Sequence, residues 1–106
     1  MVQMAHDLVF RPSAEADLVA LFDYIADRAG NESASAFIGR IEAACRKLTT
    51  FPERGTVRND IHPGLRVIGF ERRTSMALIV QGNTVRILHI LNGGRAFPDD
   101  WGNPEG

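Results

Sequence analysis

The fold of this chain is decided at one stretch, Phe51-Pro-Glu-Arg-Gly-Thr-Val-Arg-Asn-Asp-Ile-His-Pro-Gly-Leu-Arg66. Pro52 disfavours α conformation in the residue before it, so the helical half of the chain is predicted to end here. Pro63 presets φ and Gly64 can take a positive φ, so this pair opens the second half with a turn. Such a junction is polar and exposed, which makes it a candidate binding surface.

Two amphipathic helices are predicted before the junction. Residues 7–11 alternate in polarity and predict a short strand. Ser13 is the predicted N-cap of a helix that runs to about Arg28, and a second helix is predicted from about Ser33 to Thr49. The short Gly30-Asn31 connection makes the pair an antiparallel hairpin. The first helix carries one apolar stripe, formed by Leu18, Leu21, Phe22, Ile25 and Ala29.

Three strands are predicted after the junction, over residues 65–71, 74–80 and 85–91. They are rich in Val, Ile and Leu and are joined by short turns, which favours an antiparallel meander. The order β-α-α-β-β-β predicts an α+β fold, in which the two-helix antiparallel hairpin packs on a twisted antiparallel sheet. We expect residues 1–106 to form one domain, with residues 92–106 as an irregular C-terminal tail.

Composition restricts the class of protein. A chain of 106 residues with 44% hydrophobic and 24% charged residues is typical of a single globular domain. No apolar run approaches the ~18 residues of a membrane span, and the first residues lack a leader pattern. We therefore expect a cytoplasmic protein without membrane association. The single cysteine, Cys45, excludes an internal disulfide and a multi-cysteine metal site.

Charge is unevenly distributed along the chain, although the net charge is only −1. Residues 1–50 carry five basic and seven acidic side chains, whereas residues 51–95 carry seven basic and three acidic ones. Eleven of the twelve basic residues are arginine, whose planar fork suits carboxylates and phosphates. The second half is predicted to present a basic surface to an acidic partner, and charge alone leaves protein and nucleic acid open.

Strand alternation predicts where the basic side chains lie. Arg66 shares one side of its strand with Ile68 and Phe70, and Arg86 is predicted to take a comparable place on the last strand. These residues form either the floor of a basic groove or solvated strand positions paired with carboxylates such as Glu71.

No catalytic or metal-binding set is predicted. His6, His62 and His89 have no Ser, Cys or Asp neighbour in sequence that would act as a partner, and no zinc-ligand spacing occurs. By alternation, His89 is expected on the side of its strand opposite Arg86. Cys45 lies on the buried face of the second helix and is expected to be an unreactive core thiol. No cofactor is expected.

A set of short motifs appears in a characteristic order. The pattern resembles the ParE branch of the RelE/ParE toxin superfamily over about residues 7–95. The motifs are Ala16-Asp17-Leu18, Asp23-Tyr24-Ile25-Ala26, Ala34-x-x-Phe37, Leu48-x-x-Phe51-Pro52, Gly55-x-x-Arg58, Pro63-Gly64-Leu65-Arg66 and Val85-x-Ile87-Leu88.

This resemblance implies a type II toxin that forms a hetero-oligomer with a ParD-like antitoxin and inhibits DNA gyrase without covalent chemistry of its own. The antitoxin is expected to place apolar anchors on the first helix and carboxylates on the basic residues of the second half. The expected antitoxin-binding residues are Leu18, Leu21, Phe22, Ile25, Arg58, Arg66, Arg72 and Arg73. The expected target-binding residues are Arg86, Arg95 and Trp101.

Two other functions remain open at this point. The RelE branch of the superfamily cuts mRNA on the ribosome, which needs an acid, a base and positive charge for the phosphate. Arg66, Arg73 and Arg86 would supply charge and His89 a proton carrier, but Tyr24 and the only lysine, Lys47, lie on the helices. A non-toxic regulatory relative would share the same motifs. Direct binding to nucleic acid is left open.

Overall fold

A computed structural model describes residues 6–71 and 73–93. It confirms the predicted α+β class and the order of the two helices and four longer strands. One further strand, of two residues, lies inside the junction and is too short to give a periodic signal. The elements are β1 (Asp7–Phe10), α1 (Pro12–Ala29), α2 (Asn31–Lys47), β2 (Thr56–Val57), β3 (Arg66–Phe70), β4 (Thr74–Gln81) and β5 (Thr84–Asn92).

The five strands form one sheet in the order β1-β5-β4-β3-β2. The last four strands are antiparallel, as predicted, but β1 pairs with β5 in parallel. The expectation of a purely antiparallel sheet is therefore wrong. Parallel pairing needs a long crossover connection, and the intervening hairpin and strands provide it. No helix in the described ranges is long and apolar enough to cross a bilayer.

The N-terminus of α1 differs from its prediction. The helix begins at Pro12, with Arg11 at the N-cap position and no side-chain cap. Proline suits the first helical position because the amide that it lacks would have no partner there. Ser13 is therefore not the cap, and its hydroxyl instead donates to the Leu88 carbonyl oxygen at 2.7 Å.

The main core lies between the helical hairpin and one side of the sheet, which we call the helix face. Leu21, Ile41 and Cys45 of the helices are at most 5% exposed there. They pack against buried residues of β4 and β5, namely Met76, Leu78, Val85, Ile87 and Ile90. Burial of each large apolar side chain contributes about 1.5–3 kcal/mol, so this layer is the main source of stability.

A smaller core occupies the opposite side of the sheet, which we call the far face. It consists of Leu65, Ala77, Ile79 and Leu88, with Ile61 and Val67 packed against it. Ile61 belongs to the Phe51–Arg66 junction, so the junction contributes packing to the far face as well as a turn. The sheet is thus buried in part on both sides.

Helix α1 covers the edge of β5 beyond the end of β1. The Arg11 amide donates to the Ile87 carbonyl oxygen at 3.0 Å, and the Ser13 hydroxyl serves Leu88. The Asp17 carboxylate accepts the Ile90 amide at 2.9 Å. An uncovered strand edge exposes unpaired amides and carbonyls, and the polar start of α1 satisfies them.

An irregularity in β5 changes which residues face the helices. Ala77 of β4 pairs with His89, whereas the next residue, Leu78, pairs with Ile87, so Leu88 is an extra residue. A bulge of this kind resets the alternation of side chains along the strand. Val85 and Ile87 lie on the helix face before the bulge, and Ile90 returns to it afterwards.

Candidate protein-binding surfaces

An apolar groove runs along the outer side of the helical hairpin, away from the sheet. It has a volume of about 380 Å³. The Val19 side chain is 63% exposed there, which is unusual for a large aliphatic residue. We call this the helix groove and define it by Glu15, Leu18, Val19, Phe22, Ile38 and Glu42. An exposed apolar groove with a polar rim is typical of a site for a partner helix.

The structure divides the four predicted apolar anchors into two pairs. Leu18 and Phe22 line the helix groove. Leu21 is only 5% exposed and belongs to the main core, so its prediction as an antitoxin anchor is corrected. Ile25 is half-buried and packs against the same core. Residues four apart share a direction on a helix, and Leu21 and Ile25 point toward the sheet.

The rim of the helix groove is acidic. Glu15 and Glu42 stand among its lining residues. In the part of the chain that the structure describes, neither carboxylate has a basic side chain within 4 Å. Val19 and Ile38 were not predicted as site residues, although the exposed Val19 could have been found as an aliphatic residue just outside the predicted stripe.

A second groove lies on the other flank of α2, at the outer edge of β3. We call it the edge groove and define it by Ala44, Lys47, Leu48, Arg54, Ile68, Gly69, Phe70 and Met76, which enclose about 190 Å³. Its floor is apolar, and its rim carries the basic groups of Lys47 and Arg54. Arg66 adjoins the rim, because its guanidinium lies 3.5 Å from the Arg54 carbonyl oxygen. Lys47 and Arg54 were missed because helix and junction positions were not matched to strand positions.

The predicted arginines do not form one groove floor. Arg66 pairs with Leu78 of the helix face, whereas Arg86 pairs with Ile79 of the far face. Directly paired residues point to the same side of a sheet, so the expectation that Arg66 and Arg86 share a side is wrong. Arg86 instead donates from Nε to the Gln81 side-chain oxygen at 2.8 Å.

Arg58 is engaged within the junction itself. Its guanidinium donates to both Asp60 carboxylate oxygens, at 2.9 and 3.0 Å. This hydrogen bond lowers the pKa of Asp60 and raises that of Arg58. Arg58 is therefore a weaker candidate for an acidic partner than Lys47 or Arg54, since it already has a carboxylate.

The remaining predicted residues are placed as follows. Arg73 lines a cavity of about 350 Å³ at the β3–β4 turn, together with Tyr24 and Glu71. Glu71 is held by Arg40 through a two-pronged contact at 2.8 and 3.1 Å, and this hydrogen bond lowers the Glu71 pKa. Arg72, Arg95 and Trp101 lie outside the described residues, so their predicted roles remain predictions.

Tyr24 and Asp17 lie on one side of α1 and border a cleft of about 320 Å³ with Ile90 and Asn92. The Arg28 guanidinium stacks over the Tyr24 ring at 3.8 Å from its centroid. Tyr24 also lines the cavity that contains Arg73. Tyr24 is distant from the strands in sequence but lies beside the end of β5.

His89 has a carboxylate partner that sequence reasoning missed. Its Nδ1 lies 3.1 Å from the Asp17 carboxylate, 72 residues away in sequence. His89 pairs with Ala77, which belongs to the far face, so His89 lies on the same side as Arg86. The opposite expectation was wrong because it assumed a regular strand, and the bulge at Leu88 inserts one residue.

Cys45 is buried as predicted. Its side chain is 0% exposed, and its Sγ lies 3.7 Å from the Met76 sulfur. Desolvation by burial, helped by the negative charge of Glu42, raises the Cys45 pKa to about 12. The thiol is therefore protonated near neutral pH and a poor nucleophile. Within the described ranges, no three His, Cys, Asp or Glu side chains are grouped to hold a metal ion.

Comparison with known proteins gives consistent relatives. Residues 8–97 match the family described as the ParE toxin of the type II toxin–antitoxin system parDE. Toxin ParE3 of Caulobacter vibrioides is 35% identical over 77 residues, which cover 73% of this chain and 76% of that protein.

Two solved structures share the fold. One belongs to the chromosomal ParDE system of P. aeruginosa, with 27% identity and a TM-score of 0.74 over 86% of this chain and 99% of the other. The other is the RelBE2 toxin–antitoxin complex of Mycobacterium tuberculosis, with 18% identity and a TM-score of 0.61. It covers 89% of this chain and 98% of the other, and at that identity it supports the fold alone.

Proposed function

The chain belongs to the ParE family of type II toxin–antitoxin toxins, and from this membership we propose that it inhibits DNA gyrase and is neutralised by a ParD-like antitoxin. The observation that carries the antitoxin part is the helix groove, an apolar surface with an exposed Val19. A toxin that is stored in a silenced complex needs a surface of this kind for its inhibitor.

The antitoxin contributes an amphipathic helix to the helix groove. Side chains at i, i+3 and i+4 on such a helix would fill the space beside Leu18, Val19 and Phe22. The acidic rim formed by Glu15 and Glu42 favours basic residues at the edges of that helix, since like charges across an interface repel. The apolar anchors therefore supply affinity, and the rim supplies orientation.

Gyrase as the target is supported by the ParE-type sequence pattern. The proposed action is binding, in the cytoplasm, to the state of gyrase that holds cleaved DNA. The candidate contacts are Arg86 on the far face together with Arg95 and Trp101 of the tail. Arg86 is half-buried and its only described hydrogen bond is to the neutral Gln81 side chain, so its charge is available.

The test combines cells with purified components. Expression of the chain is expected to arrest growth and induce the DNA-damage response, and co-expression of the cognate antitoxin is expected to relieve both. Purified protein is expected to inhibit gyrase supercoiling and to accumulate cleaved DNA. Normal supercoiling at a large excess of folded protein would refute gyrase as the target.

A second candidate function, ribosome-dependent mRNA cleavage, is favoured by one observation. His89 is oriented by the Asp17 carboxylate and shares the far face with Arg86. A histidine held by a carboxylate is a common general acid or base, and a nearby arginine can stabilise a phosphate. Translation-dependent cleavage of mRNA that disappears in His89→Ala would favour this function over gyrase inhibition.

A further inference from the structure

The outer edge of β3 is only partly covered by β2. Thr56 pairs with Val67, and the Arg58 amide donates to the Leu65 carbonyl oxygen at 2.7 Å. Leu65 and Val67 therefore direct their main-chain groups toward β2, and by the alternation of an antiparallel ladder Gly69 directs its own to the same side. Across residues 6–71 and 73–93, no hydrogen bond reaches Gly69 from that side.

Gly55 explains why the pairing stops. It adopts φ of 82°, and a Cβ at this position would lie 2.5 Å from the Val67 carbonyl oxygen. The chain approaches β3 closely at Gly55 and turns away on its N-terminal side, so Arg54 does not continue the ladder to Gly69. The edge groove occupies the space between Arg54 and Gly69.

The edge groove therefore combines three features at one place. Gly69 offers an exposed amide donor and carbonyl acceptor on the strand edge. The floor beneath it is apolar, with Ile68 and Phe70 directed to the helix face. Lys47 and Arg54 stand on the rim, and within the described ranges no carboxylate lies within 4 Å of either.

We propose that the edge groove binds an extended, acidic segment of the antitoxin, which adds to the sheet by pairing its backbone with Gly69. This inference rests on the proposed function, because the antitoxin is the source of the segment. A residue opposite Gly69 exchanges two hydrogen bonds with it, and the side chains before and after that residue point to the helix face. One of them fills the apolar floor, and carboxylates of the segment meet Lys47 and Arg54.

A peptide fits this site better than a nucleic acid does. Peptide backbone supplies both an acceptor for the Gly69 amide and a donor for its carbonyl oxygen. A phosphate only accepts hydrogen bonds and would be repelled by the carbonyl oxygen. The apolar floor also matches an aliphatic side chain, and strand addition to an exposed sheet edge is a recurring mode of peptide recognition.

The test removes the Gly69 amide while leaving the strand in place. Gly69→Pro lacks the donor, and proline is tolerated where the amide points outward from a sheet edge. Gly69→Ala retains the donor and has open space for its Cβ, so it is the matched control. Antitoxin affinity measured by calorimetry is expected to fall about tenfold in Gly69→Pro, the effect of one hydrogen bond, and at most twofold in Gly69→Ala.

Amide exchange gives a second measurement that does not depend on a variant. In the wild-type chain the Gly69 amide is expected to exchange rapidly when free and at least tenfold more slowly in the antitoxin complex. An unprotected Gly69 amide in a saturated complex would overturn the inference, as would equal affinities of the two Gly69 variants. Failure of the wild-type chain to bind its cognate antitoxin would instead overturn the proposed function.

The charged rim is tested separately. The double variant Lys47→Gln/Arg54→Gln is expected to weaken antitoxin binding about tenfold at low salt and to reduce its salt dependence, whereas the neighbouring Arg46→Gln is expected to change little. A single-stranded oligonucleotide is the probe for the competing ligand. Oligonucleotide binding that is lost in the double variant and retained in Arg46→Gln would overturn the assignment to a peptide.

Discussion

At the scale of single residues, exposure and partners decide what a side chain can do. Val19 and Leu21 are two residues apart on α1, yet Val19 is 63% exposed and Leu21 only 5%. The first can meet a partner, and the second stabilises the fold. Sequence periodicity placed both near one stripe, and only the position of the sheet beneath α1 separates their roles.

We expect Val19→Asp to weaken antitoxin binding at least tenfold, because a carboxylate would be buried in the apolar helix groove beside Glu15. Stability should change by less than about 1 kcal/mol, since Val19 is largely exposed. Ala36→Asp is the control, as Ala36 is an exposed helix residue that does not line the groove. Calorimetry of both variants checks the result, and equal loss in both would remove the helix groove from the interface.

The Cys45 thiol predicts a loss of stability at high pH. Its pKa is about 12 in the folded chain against 9.0 ordinarily, so between these values the folded state holds the proton that the unfolded state releases. The stabilisation is complete below pH 9 and declines by up to roughly 1.4 kcal/mol per pH unit above it. Chemical denaturation from pH 8 to 10.5 should show a steeper decline for the wild-type chain than for Cys45→Ala. Parallel declines would show that the thiol does not contribute.

At the scale of elements, α1 has two functions on different sides. One side packs on the sheet and covers the edge of β5 through Arg11, Ser13 and Asp17, and the other side forms the helix groove. The helix was predictable from its apolar spacing. Its contacts with the edge of β5 were not, because they join residues more than 70 positions apart.

Asp17→Ala is expected to destabilise the chain by about 1–3 kcal/mol, because it leaves the Ile90 amide without its acceptor. Asp17→Asn keeps an acceptor oxygen and should lose less. Asp23→Ala, an exposed residue of the same helix, serves as the control and should change stability by less than about 0.5 kcal/mol. Thermal unfolding followed by circular dichroism measures all three. A full loss in Asp17→Asn would assign the effect to the His89 ion pair instead.

At the scale of the whole molecule, the two grooves lie on opposite flanks of α2 and differ in charge. The helix groove has an acidic rim, and the edge groove has a basic one. An antitoxin that occupies both must therefore change its own charge along its length, with basic residues beside its helix and acidic residues beside its extended segment. This division refines the sequence-based expectation of one acidic antitoxin tail.

Antitoxin binding should stabilise the whole domain in proportion to affinity. At a free antitoxin concentration of 100 times Kd, the free energy of unfolding is expected to rise by about 2.7 kcal/mol. At the same concentration, a variant with tenfold weaker binding should gain only about 1.4 kcal/mol. Urea denaturation of the wild-type chain and Val19→Asp with and without antitoxin checks this. A gain that does not follow affinity would indicate binding to the unfolded chain.

The sequence by itself determined the elements of this protein and the family to which it belongs. Helix and strand periodicity, the Phe51–Arg66 turns and the motif order are local properties, and local interactions are enough to specify them. The tertiary structure alone decided the parallel β1–β5 pair, the Asp17–His89 contact, the separation of Arg66 from Arg86 and the open edge at Gly69. Each of these depends on strand register and on one bulge, and both are fixed by packing between distant residues rather than by neighbours in the chain.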